Sequence, residues 1–153
     1  MTNTPPLAQL LPHDAPMILI DELINVGMEN VHCQVTIRSD NLFFNKQSQS
    51  VAGYVGIELM AQTIASWSGY HAWQQGKSAP IGFLLGCRRY HSEWSQFNQG
   101  VVLDIHAERL MQDNNMAVFS CKIIHQQQII ASCQLNAYLP SEEKIATLLN
   151  TKQ

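Results

Sequence analysis

Strict alternation of apolar and polar positions marks the two clearest strands of this chain. In "VHCQVTIR", Val31, Cys33, Val35 and Ile37 share one face, and His32, Gln34, Thr36 and Arg38 the other. In "QIIASCQLNAYL", Ile129, Ala131, Cys133, Leu135, Ala137 and Leu139 form one face, opposite Ile130, Ser132, Gln134, Asn136 and Tyr138. "MILIDELINV" reads as a further strand, as do "IGFLLGCRRYH", "GVVLDIHAERLM" and "MAVFSCKIIH". The polar breaks "QDNN" and "HQQQ" predict hairpin turns between the last three. The stretch at about 53–75 has another period. Val55, Leu59, Ala61, Gln62, Ala65 and Ser66 gather at helical spacing, while Tyr54, Ile57, Met60, Ile64, Trp67 and Trp73 carry apolar surface around the other faces. A helix apolar all round is expected to be enclosed.

The remaining segments fill in the order. The proline-rich start, residues 1–16, predicts an irregular arm, and residues 39–52 predict a loop. Pro140 stops the last strand and Ser141 caps a short helix at about 141–149, with Glu142 and Glu143 in its first turn. Two strands, one long helix and four strands give an α+β fold in a single domain, residues 1–153. Its antiparallel sheet wraps a central helix.

Composition sharpens this picture. Apolar residues make up 46% of the chain and charged residues 14%. So little charge implies that part of the surface is covered, most simply by a second copy. A net charge of -3 gives no footprint for nucleic acid. The 4 cysteines include no CxxC pair and no dense disulfide pattern. With no signal peptide legible at the start, a reduced, cytoplasmic protein is expected. Glu58, Gln62, Thr63, Ser66, Ser68 and His71 interrupt the apolar run at 53–73, which argues against a membrane span. No cluster of histidines or acids has metal-ligand spacing, so no metal is expected.

Glu58 is the one formally charged side chain between Gly53 and Trp73. Val55, Ile57, Leu59 and Met60 surround it in sequence. Burial raises the pKa of a carboxylate and a helix start lowers it, so a carboxylate held between the two can trade a proton near neutral pH.

Three motifs and the element order resemble the hotdog-fold β-hydroxyacyl-acyl-carrier-protein dehydratases. "LPHDAPMILIDEL" is similar to their N-terminal signature, and "GYVGIELMAQ", with its acid and following "AQ" turn, to the start of their central helix. "GFLLGCRRYHSEW" followed by "FNQGVVLDI" is similar to the strand pair after it. The similarity runs from Leu11 to Tyr138, and its details look closest to the branch associated with aryl polyene clusters. One position departs. The family pairs its helix acid with a histidine in a "FFxGHF" loop, whereas this chain reads "FFNKQSQ" and has Gln47 there.

The resemblance implies dehydration of a 3-hydroxyacyl thioester on acyl carrier protein, without metal or redox cofactor. Glu58 would give the proton to the leaving hydroxyl. His13, of the LPH motif, would take the α-proton in place of the missing histidine, from across a pocket. The N–H groups of the helix start at Gly53 would hold the thioester carbonyl, which a residue without a side chain lets approach. Gln62 belongs with the substrate-binding residues. Arg88 and Arg89 are either a solvated strand end or a docking point for the carrier and its phosphopantetheine phosphate. The family builds its sites between two chains, which implies a homodimer or a heterodimer with another hotdog subunit. Two other functions stay open: a hotdog thioesterase with Gln47 orienting the carbonyl, and a non-catalytic subunit that binds acyl carrier protein.

Overall fold

The computed structural model describes residues 5–78 and 83–138, with the side chains of 83–85 excepted. The expected C-terminal helix at about 141–149 lies outside the described residues. The chain opens with one helical turn, α1 (Leu7–Leu10), inside the arm expected to be irregular. Strands β1 (Glu22–Val26) and β2 (Asn30–Thr36) follow. Two short strands come next, β3 (Phe44–Asn45) and β4 (Ser50–Ala52). A 3-10 turn at Gly53–Val55 leads into the long helix α2 (Gly56–Gln74). After it come β5 (Phe83–Ser92), β6 (Gln96–Asn98), β7 (Val102–Asp113), β8 (Met116–His125) and β9 (Gln128–Tyr138).

Six strands form one antiparallel sheet in the order β1-β2-β7-β8-β9-β5, and β3-β4-β6 form a small second sheet. The large sheet curls around α2, which packs on β2, β7 and β8. This is the hotdog architecture. Alternation set it up. Val31, Cys33 and Val35 point inward and are at most 3% exposed. Their cross-strand partners Ala107, Ile105 and Leu103 are buried too.

The alternation of β9 holds from Ala131 to Ala137 but fails at its start. Ile123 pairs with Ala131 and Ile124 with Ile129, so Ile130 is an extra residue in a bulge. That exchange of faces buries Ile130 and leaves Ile129 51% exposed. The short strands β3, β4 and β6 lie where a loop or no element was expected, because two or three residues show no period. Their pairing is nonetheless anchored by Val51 opposite Phe97, both fully buried.

Two further expectations change. The strand read from Met17 starts at Glu22, because the Gln62 side chain takes the Met17 carbonyl and the Leu19 N–H. And α2 is not enclosed on every side. Leu59, Met60, Ile64 and Trp67 are buried, but Glu58, Ala61, Ala65, Ser68 and Ala72 recur at three- and four-residue spacing as a part-exposed stripe. One sheet covers one side of a helix, and the stripe is the other side.

Candidate active site

The N-terminal arm is attached to α2 at two places. At the first, Leu10 is fully buried against Gly69. A Cβ at Gly69 would stand 1.8 Å from the Leu10 carbonyl oxygen, so only glycine admits the arm backbone this closely. At the second, Gln62 is fully buried and both ends of its amide are hydrogen-bonded. Its Oε1 accepts the Leu19 N–H at 2.8 Å, and its Nε2 donates to the Met17 carbonyl at 2.7 Å. The same Nε2 donates to Glu58 Oε1 at 3.2 Å, one helical turn back on the same face.

Between these anchors the arm delivers His13. Its Nε2 lies 3.7 Å from Glu58 Oε1, with the two side chains 27% and 37% exposed. The sequence reading thus named two residues 45 positions apart that the fold brings together. Their relation differs from the one expected. His13 stands beside Glu58 rather than across a pocket from it, because the arm is pinned to α2 on both sides of it. Its Nδ1 is buried without a hydrogen-bond partner among the described residues. Glu58 is also less enclosed than its apolar sequence neighbours suggested, since it lies on the part-exposed stripe. Its Oε1 faces both Gln62 and His13, and Oε2 has no protein hydrogen bond among the described residues.

The other candidates do not converge in the same way. Gln62 directs its amide to the arm and to Glu58. The amide of Gly53 donates to the Ser95 carbonyl at 2.8 Å, so it is not available to a thioester oxygen. Gly53 is instead a packing glycine: a Cβ there would sit 2.5 Å from the Trp94 carbonyl oxygen. Gln47 is exposed in the turn between β3 and β4, its N–H held by Asn45 Oδ1 at 2.9 Å. Arg88 and Arg89 are exposed on β5.

On the outer sheet face, His32 meets Asp104 Oδ1 at 2.7 Å and stacks on His106 with ring centroids 4.1 Å apart. Burial pushes the His106 pKa down, and the charge of His32 pushes it further. Among the described residues no group of three or more His, Cys, Asp or Glu side chains is arranged to hold a metal. No helix among them is long and apolar enough to cross a membrane.

The sequence profile of the ApeP-like family, described as ApeP dehydratase, matches residues 5–150. The chain belongs to the ApeP-like dehydratase family. A solved structure, the dehydratase heterocomplex ApeI:P from Xenorhabdus doucetiae, contains a chain 36% identical to it. That match covers 97% of this chain and 99% of that one, with a TM-score of 0.87. More distant structures share the fold alone. A hypothetical thioesterase with coenzyme A from Streptococcus pneumoniae TIGR4 is 13% identical over 77% of this chain and 86% of that one, with a TM-score of 0.61. Zebra fish thioesterase superfamily member 2 is 14% identical over 87% and 90%, with a TM-score of 0.64. No curated protein matches. An ApeP-like dehydratase is a lyase, in keeping with the aryl polyene branch that the motifs indicated.

Sequence reasoning passed over Tyr90. Its hydroxyl donates to the Gly53 carbonyl at the head of α2. A tyrosine in an apolar strand gives no signal of this kind, since the contact depends on a bulge that periodicity does not show.

Proposed function

We propose that this chain eliminates water from a 3-hydroxyacyl thioester carried on acyl carrier protein, with Glu58 and His13 as the acid–base pair. The observation that carries the proposal is the 3.7 Å separation of His13 Nε2 and Glu58 Oε1. The proton to be removed and the hydroxyl to be expelled are on adjacent carbons. Two side chains that stand next to each other can reach both from one face of the acyl chain. The thioester acidifies its α-carbon, so neutral His13 takes that proton. The C–H electron pair becomes the new double bond, and the hydroxyl departs with a proton from Glu58. His13 is then protonated and Glu58 ionised, and a proton passed between them restores both. Gln62 fixes Oε1, which leaves Oε2 to serve the hydroxyl.

The partner is a second hotdog subunit, either a copy of this chain or a different one. The part-exposed stripe on α2 supports this, as does 72% exposure of Tyr54 beside it. So does likeness to a chain that works in a heterocomplex. A pair of copies would have about twice the mass of one 17.2 kDa chain. Arg88 and Arg89 are cations suited to the phosphate of phosphopantetheine. Mass spectrometry of the carrier-bound product tests the reaction. Loss of one water with the thioester intact is expected, whereas free thiol and carboxylic acid would mean a thioesterase. One observation favours a non-catalytic role, namely the exposed Gln47 where related loops carry histidine. No turnover by the assembled protein would move that reading ahead.

A further inference from the structure

The head of α2 is gripped from two sides. On the arm side Gln62 holds Glu58. On the sheet side β5 departs from regular pairing. Arg88 pairs with Gln134 and His91 with Ser132, so Arg89 and Tyr90 together face a single residue of β9. Arg89 takes a positive φ of 58°, a conformation that non-glycine residues adopt at a cost. A bulge of this kind re-aims the side chain beside it. Here it sends the half-buried Tyr90 toward the core, where its hydroxyl reaches the Gly53 carbonyl.

The space for that contact is made by a glycine. A Cβ at Gly56 would stand 2.3 Å from the Tyr90 hydroxyl oxygen. Gly53 is thereby held at both ends of its peptide units, its carbonyl by Tyr90 and its N–H by the Ser95 carbonyl at 2.8 Å. Burial pushes the Tyr90 pKa up, against a hydrogen bond with Ser92, so the phenol stays neutral and able to donate.

We propose that Tyr90 is a positioning residue for the dehydration: by holding the Gly53 carbonyl it sets the placement of the first turn of α2, and with it the Glu58 carboxyl. This rests on Glu58 being the proton donor. Gly53 and Glu58 are joined by little more than one helical turn, so a displaced head moves the carboxyl directly. A misplacement of about 1 Å at a reacting group can cost about 10²-fold in rate.

The test is Tyr90→Phe in the assembled dimer, which keeps the ring and removes the hydroxyl. Its kcat should fall about 10- to 100-fold with KM held within about twofold, because the substrate is still bound but the acid is misplaced. Amide exchange at Gly56–Glu58 should rise about tenfold, while exchange in the middle of α2 stays unchanged. Gly56→Ala, which displaces the phenol while keeping it, should give the same kinetics and the same exchange pattern. It decides the matter if Tyr90→Phe folds poorly. A wild-type kcat in both variants, a raised KM with kcat intact, or unchanged exchange at the helix head would each overturn the proposal. Glu58→Gln is measured in parallel. If it turns over normally, the acid role of Glu58 falls. The exchange data still report separately whether Tyr90 holds the helix head.

Discussion

Replacing Gln62 by leucine should loosen the arm and destabilise the protein together. The side chain is fully buried, and leucine fills nearly the same space without polar atoms. The Leu19 N–H, on a residue only 4% exposed, then has neither Gln62 nor water. An unsatisfied buried donor costs about 1–3 kcal/mol. The Met17 carbonyl loses its 2.7 Å bond but belongs to a residue 41% exposed, so it can turn to water, at about 0.5–1.5 kcal/mol. The sum is about 1.5–4.5 kcal/mol, a large share of the ~5–15 kcal/mol that holds a domain folded. Urea titration followed by tryptophan fluorescence reads this directly, since Trp67 is buried. Limited proteolysis should cut the arm faster near Met17, and dehydration should fall because both Glu58 and His13 lose their support. A change below about 0.5 kcal/mol with normal proteolysis would refute the claim that Gln62 anchors the arm.

Two other predictions follow from the packing. Gly69→Ala places a Cβ against the Leu10 carbonyl and should cost about 1–3 kcal/mol, the usual cost of overpacking, with α1 released from α2. Faster amide exchange in α1 would register it, and wild-type stability would contradict it. On the outer sheet face, His106 is faced by His32, Asp104 and Lys122, and its pKa lies below the ordinary 6.5. The unfolded chain therefore binds this proton more readily. Stability from the neutral ring is complete above 6.5 and is lost as pH falls through the lower folded value. Melting temperature should drop as pH falls below about 6.5, and less so in His106→Gln. An equal drop in the variant would exclude this histidine as a source.

What was legible in the sequence followed its periods. Alternation in β2 and most of β9 gave the faces of the sheet, and the run from Gly53 to Gln74 gave the helix. Glu58 was visible as a lone charge among apolar residues. His13 entered through the LPH motif, since no local period marks a residue in an arm. What was missed depends on contacts between distant segments. Gln62 looks like any polar residue on an apolar helix until the Met17–Leu19 backbone is laid beside it. The Gly53 amide looks free until Ser95 takes it. The bulges at Arg89–Tyr90 and at Ile130 exist only as mismatches between neighbouring strands. Each one reverses a face or re-aims a side chain without any sign in its own strand.

A double-mutant cycle on the dehydration rate tests the central claim, that Glu58 and His13 act as one acid–base unit. Glu58→Gln and His13→Ala should each reduce kcat about 10²–10⁴-fold without unfolding the protein. Because each residue returns the other's proton, the double variant should be no slower than the slower single variant. Losses that multiply in the double variant, or near-normal turnover in either single variant, would contradict the pairing.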